Sequence, residues 1–222
     1  MFPLRDDRPT STRPIVTTLL IIACAFVFLH ELMLDEFSRD YFTTRYGLVP
    51  SHPRLDSLFT HMFLHGGWSH IIGNMLFLWA FGKSLEDALG HTKFLGFYLG
   101  CGVIAAVAQV AFNFASRAPM VGASGAIAGV MGAYLLKFPR SNIHTLVFIF
   151  IFFTTMDIPA AFILVYWFIM QLFSGYGSIA HTQVMDSGVA WFAHIGGFLG
   201  GMALVKWMGV RPRNYARRDI YW

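Results

Sequence analysis

The stretch RAPMVGASGAIAGVMGAYLLKFPR, residues 117–140, decides how the rest of the chain is read. Its helix-patterned apolar part starts at Ser124 and stops by Lys137, just before Pro139, which cannot continue a helix. Those 14 residues make a helix about 21 Å long at 1.5 Å per residue, well short of the roughly 30 Å of hydrocarbon in a bilayer. With Lys137 at the inner surface of a membrane, Ser124 lies below the outer one. The irregular segment before it, SRAPMVGA, is tolerated at that depth only inside protein or beside a water-filled cavity. The stretch therefore predicts a short helix surrounded by others, with a polar hollow open to the outside and Ser124 at its floor. The plainer alternative is that Ser124 is a helix N-cap, for which serine is well suited.

Composition supports a membrane setting. Of 222 residues, 56% are hydrophobic and only 13% are charged, against about 25% charged in ordinary soluble domains. The 23 Phe and 6 Trp are read as lipid contact and interfacial belt. Cys24 and Cys101 both fall in apolar runs, so they read as packing residues and imply no disulfide framework. The net charge of +4 comes from basic residues scattered between apolar segments, which speaks for membrane topology and against nucleic acid.

Six spans follow from the apolar runs: Pro14–Leu34, Trp68–Leu89, Phe94–Ser116, the short helix from Ser124 to Lys137, Ile158–Phe173 and Val189–Met208. The stretch 143–174 is too long for one span, and its first part, 143–155, is read as partly re-entrant. The fold class is thus all-α: a polytopic membrane protein of six transmembrane helices, the short fourth enclosed by the rest. Residues 1–13 form an N-terminal segment, 14–208 the membrane domain and 209–222 a basic tail. With both ends cytoplasmic, the outer segments hold only Arg39, Arg45, Arg54 and Arg117 of the 16 Lys and Arg, as the positive-inside rule requires. The first apolar run has no small-residue cleavage site, and no Arg- and Ser-rich transit segment precedes it. A multi-pass protein of a bacterial inner membrane is the corresponding expectation.

Polar side chains inside spans are costly and mark function by default. His70 and Asn74 lie i, i+4 on one face of the second span, Ser124 opens the fourth, and His194 sits in WFAHIGGFLGG of the sixth. These three helices run in one direction, so all four residues share one depth, while the inner halves of the helices are read as nearly free of such groups. Gly125 and Gly129 on the fourth helix, and Gly197 and Gly201 on the sixth, form small-residue stripes that let two helix backbones approach closely. Packing the stripes together brings the Ser124 hydroxyl within reach of the His194 ring. A serine beside a positioned imidazole is the minimum for nucleophilic acyl transfer. Asn74, His70 and the Ser124 amide are the candidate donors to an oxyanion. No intramembrane acid is placed to orient the imidazole, which predicts a dyad and not a triad.

GASG opening a short span, HGGWSHIIGN in the second and AHIGGFLGG in the last resemble, in order and spacing, the rhomboid intramembrane serine proteases, over about residues 60–205. The resemblance implies Ser124 as nucleophile and His194 as general base, with His70, Asn74 and the Ser124 amide in the oxyanion hole. It implies a structural or water-holding role for His65. It further implies a first outer connector lying partly in the bilayer, and a lateral gate and cap formed by the fifth span and residues 175–188. The connector, residues 35–60, lacks the Trp-Arg pair that many members carry, and the stretch 143–158 has no counterpart in the family.

The function expected is therefore a serine endopeptidase that cleaves single-span membrane proteins near the outer side of the membrane, with no cofactor and no metal. His61 and His65 mimic a metal pair at i, i+4, but HELML at 30–34 lacks the second histidine of a zinc-protease helix. GASGA is not G-x-S-x-G, which excludes the soluble hydrolase elbow. Two competing readings are a catalytically silent relative that binds membrane-protein clients, and a polar-lined transporter. The first has no need of both Ser124 and His194; the second calls for polar groups along the whole crossing.

Overall fold

The computed structural model describes residues 2–149, 152–180 and 190–209. In chain order these form β1 (Phe2–Asp6), α1 (Ile15–Met33), α2 (Glu36–Tyr46) and α3 (Ser57–Thr60), then a 3₁₀ turn at His61–Phe63. There follow α4 (Trp68–Leu89), α5 (His91–Phe112), α6 (Ser124–Lys137), β2 (Asn142–Ile149), β3 (Phe152–Pro159), α7 (Ala160–Ala180) and α8 (Trp191–Trp207). By length and composition α1, α5 and residues Ala160–Ser178 of α7 are long and apolar enough to cross a membrane. The bounds of α4 and α6 coincide with those read from the sequence. Helix α5 lies three to four residues earlier than expected, because Gly90, at φ +79°, turns the chain directly from α4 into α5. The basic tail from residue 210, Val189 and the cap residues 181–188 lie outside the described residues.

Helix α6 is at the centre. Every residue from Gly125 to Tyr134 is buried, and around it pack Phe81, Phe94, Phe97 and Tyr98 of α4 and α5. The glycine stripes meet as expected: a Cβ added to Gly197 would stand 2.1 Å from the Gly125 carbonyl oxygen. Only paired small residues permit helix axes to approach so closely.

Two expectations need correction. Residues 143–155 are not a re-entrant segment, and the described residues are not all-α. β2 and β3 form an antiparallel hairpin, with Ile143 opposite Ile158 and Ile149 opposite Phe152. β1 adds a third strand on the other edge of β2, with Asp6 opposite Ile143. The run is rich in Phe, Ile, Val and Thr, residues that suit a pleated sheet. Its partner β1 is more than a hundred residues away in sequence, so no local pattern reveals the pairing. Helix α7 accordingly begins at Ala160, after Pro159 closes β3, and continues past Phe173 to Ala180.

Nor is the C-terminal half of α4 free of polar groups, contrary to the expectation from the sequence. The buried Glu86 carboxylate accepts the backbone N–H groups of Val16 and Thr17, each at 2.8 Å, and so caps the start of α1. One Asp87 oxygen accepts from the backbone and hydroxyl groups of both Ser11 and Thr12. Asp6 of β1 pairs with Lys83 at 3.0 Å and accepts from the Tyr134 hydroxyl at 2.8 Å. The segment before α1 is therefore not a loose extension: Asp6 and Asp87 tie it to α4 and α6, while Glu86 ties the start of α1 to α4. Satisfied in this way, these groups are structural and take no part in lining the hollow at the opposite end of α4.

Candidate active site

Ser124 is the first residue of α6, and the capping position before it is Ala123, which makes no side-chain cap. The serine hydroxyl is thus not spent on the helix end. It lies 2.8 Å from Nε2 of His194 on α8. The backbone contact of α6 with α8 sets this distance, since Gly125, beside the serine, packs on Ala193, beside the histidine. The first N–H groups of α6 have no acceptor within their own helix, and the positive end of its dipole points into the site.

Sequence reasoning found no orienting group for the imidazole, and the structure supplies one. Nδ1 of His194 lies 2.8 Å from Oε1 of Gln171 on α7. The ring is also flanked by Trp167 at 5.6 Å and, edge-on, by Trp191 at 6.2 Å between centroids. A second glutamine was missed: Gln109 of α5, also buried, accepts the Ala193 N–H at 3.2 Å. It satisfies one of the open donors at the start of α8, next to the histidine. The signal for both was available, since side-chain amides within apolar helices are candidates by default. Neither is an acid, so neither fits the pattern of a carboxylate that orients a histidine.

His70 and Asn74 line the same cavity as Ser124 and His194, a hollow of about 450 Å³ with an apolar wall of Phe77, Ile127 and Met131. One Asn74 N–H donates to the His70 carbonyl at 3.0 Å, leaving the second amide hydrogen for the cavity. The His70 ring presses on the loop before Ser124, where a Cβ on Gly122 would stand 2.6 Å from its Nε2. Gly122 has φ +120°, so glycine is required there on both counts. The loop is pinned by the Gly122 N–H donating to the His61 carbonyl at 2.8 Å.

His65 packs edge-on against His70, with centroids 5.2 Å apart. The ring nitrogens of His61 and His65 are directed separately, each Nδ1 onto a backbone carbonyl, of Ser57 and Phe63 respectively. Burial pushes both rings down to about 4; the neighbouring His70 adds to the effect at His65. Both are neutral at physiological pH.

The arrangement brings together a hydroxyl, an imidazole acceptor and several N–H donors around one hollow. That is the equipment of acyl transfer by a serine nucleophile. Comparison with known proteins identifies the family. Residues 52–211 match the Rhomboid domain family. The chain is 34% identical over 153 residues to Rhomboid protease GluP of Bacillus subtilis, covering 69% of this chain and 26% of that protein. It is 31% identical over 125 residues to Rhomboid protein 1, mitochondrial, of Saccharomyces cerevisiae, covering 54% of this chain and 33% of that one. To Presenilin-associated rhomboid-like protein A, mitochondrial, of Danio rerio it is 30% identical over 142 residues, 63% of this chain and 35% of the other. The matched region is thus about a third or less of each relative's own length. Because relatives named as mitochondrial stand beside one from Bacillus, the comparisons support a multi-pass membrane protein but not the expected bacterial inner membrane. With the motifs, the buried short helix and the match over residues 52–211 in agreement, the chain belongs to the rhomboid family.

Proposed function

We propose that the chain is an intramembrane serine endopeptidase that cleaves single-span membrane proteins by a Ser124–His194 dyad. The observation that carries this reading is the 2.8 Å contact between Ser124 Oγ and His194 Nε2 at the cavity. His194 Nε2 takes the hydroxyl proton as Oγ attacks the scissile carbonyl carbon. The resulting oxyanion is held by the Ser124 N–H, Asn74 Nδ2 and His70. The imidazolium then protonates the leaving amine, the C–N bond breaks, and the acyl group remains on Oγ. In the second half, His194 takes a proton from water as it attacks the ester carbon; the C–Oγ bond then breaks and the imidazolium returns that proton to Oγ, releasing the acid and the free serine. The hollow is the route by which that water arrives.

In the same reading the chain crosses the membrane six times, through α1, α4, α5, α6, α7 and α8. Both ends lie on the cytoplasmic side, and α6 is the short enclosed fourth crossing. Ser124 then lies toward the outer face. A spanning substrate helix has its peptide groups satisfied internally, so it has to unwind before attack, and small or helix-breaking residues near the cut favour this. The test is cleavage of a single-span protein in proteoliposomes. Wild type cuts it, Ser124→Ala and His194→Ala do not, and changing the cut region to leucines slows cleavage. Cleavage that persists in Ser124→Ala overturns the reading.

A further inference from the structure

We propose that Gln171 is the positioning residue of this site: its side-chain amide, reaching from α7, holds His194 in the tautomer that lets Nε2 accept the serine proton. The proposal rests on the protease reading for its functional meaning, though not for its geometry.

The inference follows from the direction of a chain of hydrogen bonds. A backbone carbonyl only accepts, and the Trp167 carbonyl receives the Gln171 amide nitrogen at 3.2 Å. That contact settles which end of the amide is which, leaving Oε1, an acceptor only, 2.8 Å from His194 Nδ1. Nδ1 therefore carries the ring hydrogen, and Nε2 presents its lone pair to the Ser124 hydroxyl at 2.8 Å. With the amide turned over, its oxygen would face the Trp167 carbonyl oxygen at 3.2 Å, two acceptors with no hydrogen between them. Gln171 is only 6% exposed, so water does not compete for either bond.

An amide suits this place better than an acid. A carboxylate buried in an apolar helix carries a large desolvation cost, whereas an amide selects the tautomer with no charge to bury. Because Gln171 and Trp167 are four residues apart on one face of α7, both touch the same imidazole. The base is on α8 and its orienter on α7, so the working tautomer exists only while these helices are packed together.

The test uses the full-length protein with Gln171→Met, which keeps the length of the side chain but removes the strong acceptor, and Gln171→Leu as a second variant should the first fail to fold. Gln171→Glu is the restoring variant. Nitrogen-15 spectra, with His194 identified by difference against His194→Ala, read the tautomer directly. The expected result is a hydrogen on Nδ1 in the wild type and a mixed tautomer in Gln171→Met. For the peptidase, kcat falls about tenfold or more in Gln171→Met with KM little changed, and Gln171→Glu recovers most of it. Gln171→Glu also moves the acidic limb of the pH profile to higher pH, since a carboxylate beside the ring favours imidazolium. The titratable group facing His194 from α4 is His70; its neighbours from α5, α6, α7 and its own helix (Gln109, Ser124, Trp167, Gln171 and Trp191) carry no charge. An unchanged tautomer in Gln171→Met, or an unmoved pH limb in Gln171→Glu, overturns the proposal. Failure of the wild type to cleave, with the tautomer shift still present, overturns the protease reading and leaves the positioning role of Gln171 in place.

Discussion

Gly201 and Gly129 touch through their backbones: a Cβ on Gly201 would stand 2.1 Å from the Gly129 carbonyl oxygen and 2.5 Å from its Cα. About one and a half to two turns of helix away, the same seam carries the Ser124–His194 pair, so the distance between base and hydroxyl depends on how closely α6 and α8 approach.

Gly201→Ala is therefore expected to push the helices apart. The cost is about 1–3 kcal/mol or more, the range for overpacking a close contact. Thermal unfolding in detergent measures it, and labelling of Ser124 by an active-serine probe falls with it. Gly96 of α5 is the control, since a Cβ there meets nothing within 4 Å. Gly96→Ala is expected to be neutral, or stabilising by up to about 1 kcal/mol through helix propensity.

Asn74 is expected to act on the transition state and not on substrate binding. Asn74→Ala lowers kcat by about 2.7–4 kcal/mol of barrier with KM little altered, as loss of one oxyanion donor does elsewhere. Steady-state kinetics on a reconstituted single-span substrate separate the two parameters. An unchanged kcat removes Asn74 from the oxyanion role.

Glu86 is expected to matter for folding alone. Its carboxylate holds two N–H groups at the start of α1, and Thr17 Oγ1 at 2.6 Å, within a fully buried site. Glu86→Ala strands these donors and costs at least about 1–3 kcal/mol, which is read as a lower Tm. The fraction that remains folded still labels at Ser124. A folded but unlabelled Glu86→Ala would tie this end of α4 to the chemistry.

Acid is expected to weaken the fold through His61 and His65. Both sit at about 4 in the folded chain, against an ordinary value of 6.5. Between those values the unfolded chain binds more protons, so their contribution is fully present above about pH 6.5 and is lost as pH falls toward 4. Tm measured at about pH 5 lies below that at pH 7.5, and His61→Gln narrows the difference. Equal Tm values in the wild type contradict this account.

The parts legible in the sequence are those governed by local rules. The bounds of α6 follow from Ser124, Lys137 and Pro139, and the α6–α8 seam from glycines at helical spacing. That His70, Asn74, Ser124 and His194 meet at one cavity follows from helix direction. The hairpin was not legible, because a continuous apolar run such as LVFIFIFF suits a strand and a buried helix equally. Its pairing with Phe2–Asp6 is a long-range matter. Asp6 belongs to the N-terminal segment and Glu86 and Asp87 to the end of the second span, and only the folding of that segment onto α4 brings these carboxylates to their partners. Gln171 lay in plain view within α7, but only the fold reveals that its amide meets the histidine of another helix.

The most direct test of the account is fluorophosphonate labelling of the detergent-solubilised protein at neutral pH, followed by intact-mass analysis, with Ser124→Ala and His194→Ala beside the wild type. One adduct in the wild type, mapped to Ser124 and absent from both variants, is the predicted result: a serine activated by its histidine. No adduct in a wild type whose unfolding transition shows it to be folded would contradict the account and leave Ser124 an inert residue at the end of a helix.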